Sequence, residues 1–155
     1  MTQAKRATGC IFCDKPAEQD DQTHYILKRG EHCFIILNAF PYSNGHLMVA
    51  PYRHTADLNE LTDPELLEIQ RMVRCCVNLL KRAFNPDGFN LGVNMGLTAG
   101  AGIKDHIHWH VVPRWNGDTN FMPVLADVRV IPQSLEDTWQ CLHTILHSSD
   151  DEYTG

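Results

Sequence analysis

Apolar positions along this chain fall into two rhythms. Short runs occur at Tyr25-Ile26-Leu27, Cys33-Phe34-Ile35-Ile36-Leu37, His46-Leu47-Met48-Val49-Ala50 and Phe89-Asn90-Leu91-Gly92-Val93-Asn94. Arg29-Gly30-Glu31 separates the first two, which predicts a hairpin with a glycine-containing turn. The turn-rich stretch from Asn38 to Gly45 leads into the third run, and Pro51-Tyr52-Arg53-His54 closes it. Short strands joined by tight loops predict an antiparallel sheet. The second rhythm starts at Thr62-Asp63-Pro64-Glu65, where Thr62 and Glu65 have capping-box spacing and Pro64 is tolerated in a first turn. Leu66, Ile69, Val73, Cys76, Val77, Leu80 and Phe84 follow at three- and four-residue steps, the buried face of a long helix. Asn85-Pro86-Asp87-Gly88 stops it. A shorter helix is predicted from Ser134 through Trp139, Leu142, Ile145 and Leu146, with His143 and His147 on its surface.

A fifth run, Asp105-His106-Ile107-His108-Trp109-His110-Val111-Val112-Pro113-Arg114-Trp115, alternates histidine with apolar residues. Period two places His106, His108 and His110 on one strand face and Ile107, Trp109 and Val111 on the other, toward a core. Three imidazoles side by side on a solvent-facing strand serve no packing purpose. Such a face calls for a metal, a phosphate or a nucleophile. The elements then amount to one α+β domain, a five-stranded antiparallel sheet with two helices, with an ordered core over about residues 9–147 and frayed ends.

Two further stretches carry chemistry. Cys10-Ile11-Phe12-Cys13 precedes Asp14-Lys15-Pro16, read as a turn. Two thiolates at this spacing suit half a zinc site. A redox pair is expected at the start of a helix after a strand, and here no strand pattern precedes it. Met95-Gly96-Leu97-Thr98-Ala99-Gly100-Ala101-Gly102-Ile103-Lys104 delivers the chain to the histidines. Beside imidazoles, such a loop suggests backbone N–H groups aimed at an anion; a plain connector is the alternative.

Composition narrows the possibilities. The chain of 155 residues has a formal net charge of −6, which argues against a nucleic-acid binder. Acidic runs at Glu18-Gln19-Asp20-Asp21 and Asp150-Asp151-Glu152 read as solvated surface. The N-terminus lacks the apolar stretch of a signal peptide, and no run is long enough for a transmembrane helix, so a cytoplasmic protein without membrane partners is expected. There the six cysteines are expected as thiols or metal ligands, with Cys33, Cys76 and Cys141 as small core residues and no function assigned to Cys75.

His106-Ile107-His108-Trp109-His110-Val111-Val112 is similar to the signature of the histidine triad (HIT) superfamily of nucleotide hydrolases and transferases. Asn38, Asn44-Gly45-His46 and Pro113-Arg114-Trp115-Asn116-Gly117-Asp118 resemble that family in the expected order. The Arg-x-x-Gly-Asp run resembles the fragile-histidine-triad and diadenosine-polyphosphate branch. The resemblance implies a HIT-like α+β fold, usually a homodimer, and attack by His108 on the α-phosphate of a nucleotide. A covalent nucleotidyl-histidine then passes to water or another acceptor. The expected activity is hydrolysis of dinucleoside polyphosphates or related conjugates. Phosphorolysis, or nucleotide binding with vestigial activity, are the alternatives.

For His108 the second ring nitrogen needs an orienting acceptor, which a carbonyl of the glycine-rich loop would supply. His110 and the loop N–H groups, at Gly100, Ala101 and Gly102, would hold phosphate oxygens. The resemblance also implies that Asn38 hydrogen-bonds the ribose, that His46 lies near the site and that Asn94 contacts phosphate. Several relatives carry Ser or Thr where Gly102 and Ile103 stand. Some bacterial relatives bind zinc through a C-x-x-C pair, a later His and the first triad His, which maps onto Cys10, Cys13, His54 and His106. That set is a closed, structural one. It would relieve His106, the third triad candidate, of a catalytic role.

Overall fold

A computed structural model describes residues 9–39, 43–101, 105–118 and 133–148. Five strands, β1 (Ile26–Arg29), β2 (Cys33–Leu37), β3 (Leu47–Pro51), β4 (Gly88–Val93) and β5 (Trp109–Arg114), form one antiparallel sheet in the order β1-β2-β3-β5-β4. The α+β fold and the five strands are those expected. Four α-helices stand among the described residues rather than two, α1 (Ile11–Glu18), α2 (Asp21–His24), α3 (Asp63–Phe84) and α4 (Leu135–Ser148), with short 3-10 turns at Leu58–Glu60 and Leu97–Ala99. No helix among them is long and apolar enough to cross a membrane.

The two unpredicted helices are short and sit near the N-terminus. Cys10 opens α1 from an extended conformation, and the amides of Cys13 and Asp14 donate to its carbonyl at 3.1 and 2.8 Å. Pro16 lies inside this helix rather than in a turn. As the sixth residue of α1, Pro16 forfeits the bond that an N–H there would make to the Phe12 carbonyl, and the helix ends two residues later at Glu18.

Strand β2 is buried along its whole length, because both faces of the sheet are covered there. In register, Ile35, Val49 and Trp109 project to one side and meet α3 and α4. Phe34, Ile36, Met48 and Ala50 project to the other and pack on Phe12 of α1. Helix α3 has the full reciprocal capping box at Thr62 and Glu65. Its buried face includes Ile69, Val73, Cys76 and Leu80 of the predicted stripe, together with Met72, Cys75 and Leu79. The stripe is wider than periodicity drew it because α3 spans the sheet and also meets α4.

Cys33 and Cys76 are core residues as expected, whereas Cys141 is only half-buried. His143 is also half-buried, its ring stacked on Trp139 at 4.4 Å, in place of the surface position expected for it. The predicted tails, the 40–42 turn and Gly102 with Ile103 lie outside the described residues.

One glycine ties the sheet to α3 just ahead of the histidine face. Gly45 has φ +80°, and a Cβ there would meet Leu80 Cδ2 at 2.9 Å and the Phe84 ring at 3.2 Å. Backbone strain alone costs an L-residue about 1–2 kcal/mol in this region. Gly45→Ala should therefore lose about 2 kcal/mol or more in urea unfolding, whereas Gly88→Ala, where an added Cβ meets nothing within 4 Å, should change little.

Candidate functional site

Strand β5 begins at Trp109, so His106 and His108 precede it and only His110 lies within it. The alternation holds nevertheless. Ile107, Trp109 and Val111 enter the core beneath α3, while the three histidines share the opposite face. That face is not solvent-facing. His106 is 0% and His108 5% exposed, because Phe12 lies over them with ring centroids at 5.3 and 4.7 Å. The missing signal was helix α1, without which the histidine face had no visible lid.

His108 has the geometry of an oriented nucleophile. Its Nδ1 lies 2.9 Å from the backbone carbonyl of His106, to which it donates its proton. This leaves the Nε2 lone pair free. The orienting carbonyl is that of the residue two positions back, and not one from the glycine-rich loop. Burial pushes the His108 pKa below its ordinary value, so the ring is neutral near pH 7.

His110 stands 4.9 Å from His108 between ring centroids and belongs to a chain of side chains. The amide nitrogen of Asn38 lies 3.3 Å from Nδ1 of His46, and Nε2 of His46 lies 2.9 Å from Nδ1 of His110. An amide N–H can only donate, so His46 Nδ1 accepts. His46 then carries its proton on Nε2 and donates to His110. His110 in turn carries its proton on Nε2, as a donor rather than a second nucleophile. Burial drives both rings down to about 4, and the neighbouring imidazoles add to the shift. Asn38 and His46, expected at the ribose and near the site, thus stand behind His110 and set its tautomer.

A second cluster lies on the other side of His106. Its Nε2–H donates to the carbonyl of Pro51 at 2.7 Å, which frees Nδ1 as a ligand. Around that nitrogen stand Cys10 Sγ at 3.4 Å, Cys13 Sγ at 3.6 Å and His54 Nδ1 at 3.3 Å. Cys13 Sγ is 3.5 Å from His54 Nδ1, and all four donor atoms lie within 4.8 Å of one another. Bonds of about 2.0–2.1 Å to nitrogen and 2.3 Å to sulfur place tetrahedral neighbours roughly 3.3–3.8 Å apart. The four residues therefore fit a single four-coordinate ion with two soft and two borderline donors. The side chain of His106 belongs to this cluster, and only its carbonyl serves His108.

The C-x-x-C pair does open a helix, as a redox pair would. Two imidazoles facing it, one with its lone pair fixed by Pro51, distinguish it from a dithiol site. Asn94 is half-buried at the end of β4, and Ala101 is buried while Gly100 is exposed with φ +86°. Downstream, Arg114 grips Asp118 through Nε and Nη2, both at 2.8 Å, and donates to Asn90. This ion pair holds the Asp118 carboxyl down at about 2. Sequence reasoning gave Asn90 no role at all.

A small antiparallel α+β domain with a row of buried imidazoles against its sheet defines a class of protein before any comparison is made. A family model described as the HIT domain matches residues 19–117, and the chain belongs to that family. A protein of Mycobacterium tuberculosis named AP-4-A phosphorylase is 42% identical over 124 residues, 80% of this chain and 64% of that protein. The chain thus spans just under two thirds of the length of that relative. A Schizosaccharomyces pombe protein named bis(5'-nucleosyl)-tetraphosphatase (asymmetrical) is 32% identical, over 77% of this chain and 62% of its own. Among solved structures, a Zn-bound histidine triad family protein from Mycobacterium smegmatis superposes with a TM-score of 0.71 at 25% identity, covering 89% of this chain and 93% of that one.

The depressed histidines fix the sign of an acid response. A group whose folded pKa is about 4 against an ordinary 6.5 takes up its proton more readily unfolded. Stability is then complete above pH 6.5 and falls as pH drops toward 4, by up to about 1.4 kcal/mol per pH unit for each such ring. Ring ¹⁵N NMR should find His46 and His110 neutral at pH 5.5. In urea unfolding, His46→Gln should flatten the dependence between pH 6.5 and 4.

Proposed function

We propose that the chain is a cytoplasmic homodimeric nucleotidyl-transfer enzyme that cleaves dinucleoside polyphosphates at the α-phosphate through a covalent intermediate on His108. The observation that carries this reading is the His108 Nδ1–H bond to the His106 carbonyl at 2.9 Å. It aims Nε2 away from the backbone and stabilises the positive charge that the ring acquires on attack. Nε2 of His108 forms a bond to the α-phosphorus as the bridging oxygen toward the β-phosphate departs with its electron pair. The departing polyphosphate is a stable anion and needs no dedicated acid. His110, with its proton held on Nε2 by His46 and Asn38, donates to a non-bridging oxygen as charge develops there. Asn94 adds an amide donor, whereas the N–H groups of Gly100 and Ala101 are already engaged inside the loop, by the carbonyls of Leu97 at 3.0 Å and Gly96 at 3.2 Å.

Inorganic phosphate is the favoured acceptor, with water as the second reading. The 42% identical relative is named a phosphorylase and the 32% identical one a tetraphosphatase. Phosphate attacking the adenylylated His108 yields ADP and restores the free imidazole; water yields AMP. Zinc at Cys10, Cys13, His54 and His106 belongs to the same proposal, supported by the donor geometry and by the Zn-bound structural relative. Bound there, it would cross-link α1 to the histidine segment. Six unpaired thiols suit a reducing compartment, and β4, whose one partner among the described strands is β5, offers an edge to a second copy.

With diadenosine tetraphosphate and phosphate, the protein should form ADP and ATP in equal amounts, and His108→Ala should lose at least about a thousand-fold in rate. AMP and ATP formed without phosphate would select hydrolysis, and full turnover by His108→Ala would sink the covalent mechanism. A strong chelator should release about one zinc per chain and lower the melting temperature by several degrees, and Cys13→Ala should bind none. Instant, reversible loss of activity with an unchanged melting temperature would instead mark a catalytic metal.

A further inference from the structure

The open end of the histidine face is a groove of about 410 Å³, within the range of small-molecule sites. It starts at His110 and Asn94 and runs along β4 and β5 to Arg114 and Asp118. Register fixes which side chains share it. Asn90 pairs with Val112, Gly92 with His110 and Gly88 with Arg114, so these residues project to the same side as the imidazoles. Four residues along β5 separate His110 from Arg114, about 13 Å by strand rise. That is the reach of a polyphosphate bridge with its ribose.

The two ends of the groove differ in charge. At the His110 end there are imidazole and amide donors. At the far end the Arg114 charge is cancelled by its bidentate pair with Asp118, so this end has little net attraction for another phosphate. What it does offer is a planar guanidinium clamped by Asp118 and Asn90, about a third exposed, beside an apolar Val112 floor. A flat cation face on an apolar floor with an amide alongside suits a purine ring and its sugar. Gly92 keeps the path clear, since a Cβ there would meet nothing within 4 Å.

We propose that the Asn90–Arg114–Asp118 end of this groove is a binding subsite for the second nucleoside of a dinucleoside polyphosphate, the one that departs with the leaving group. The inference rests on the proposed attack at His108, which sets where the scissile phosphate lies. Arg114 and Asn90 act in selectivity and take no part in bond making.

The test is equilibrium binding to the full chain, which needs no turnover. AMP, adenosine 5'-tetraphosphate and a methylene-bridged diadenosine tetraphosphate are titrated calorimetrically into wild type, Asn90→Ala and Arg114→Ala. The bridged dinucleotide should bind wild type more tightly than adenosine tetraphosphate does, and each variant should lose about ten-fold for it while AMP stays within about two-fold. Since Arg114→Ala also releases the turn at Asp118, Asn90→Ala decides the matter if the other variant is misfolded. Equal loss for adenosine tetraphosphate would mean that the groove reads phosphate, and unchanged selectivity that it reads neither; both overturn the subsite. Failure of the nucleophile reading shows separately, as turnover that survives in His108→Ala.

Discussion

Every part of the site depends on where the chain places residue His106. Its side chain is fixed from both ends, Nε2 by the Pro51 carbonyl and Nδ1 by the thiols and His54. The next amide, that of Ile107, donates to the Thr55 carbonyl at 2.7 Å. The backbone carbonyl between these anchors is the group that orients His108. A residue held by side chain and backbone at once cannot swing its carbonyl, so the His108 tautomer is set by the same contacts that tie α1 to the sheet. Structural cluster and reactive face share one residue without sharing an atom.

Desolvation does the complementary work. Four imidazoles close together would repel one another if charged, and burial alone already disfavours the cations. Neutral rings are defined donors or acceptors according to their tautomer. Asn38 fixes the tautomer of His46, and His46 that of His110. The result is one ring presenting a lone pair and its neighbour presenting an N–H, a division that a row of protonated histidines would lose.

Much of this was legible in the sequence because it rests on period and spacing. Alternation over residues 106–111 placed the triad on one face and Trp109 in the core, whichever residues the strand formally includes. Thr62 and Glu65 announced α3 because a capping box is local chemistry. The C-x-x-C pair lacked two ligands, and only the family resemblance pointed to His54 and His106; the fold brings together residues 96 positions apart. Helix α1 was illegible because eight residues with an internal proline carry too weak a pattern. The His106 carbonyl was missed because backbone acceptors leave no mark in a sequence, and Asn90 because a polar residue on an edge strand normally needs no explanation.

Coverage of the sheet divides the histidine face into two halves with different physics. Over β1, β2 and β3 the face is sealed by Phe12 against Phe34, Ile36 and Met48, a packed layer that holds the imidazoles dry and still. Over β4 no such layer of buried side chains exists among the described residues: Asn90 and Gly92, which share this face with Val112 and His110, are exposed. A rigid, desolvated half is what transition-state stabilisation requires, since its dipoles do not reorganise during reaction. An open half whose Arg114 is already paired with Asp118 can admit and release a large anionic molecule without competing for its phosphates. In a chain of net charge −6, that separation matters for the polyanionic substrate proposed above, because attraction for it has to be concentrated at one phosphate and cannot come from the surface as a whole.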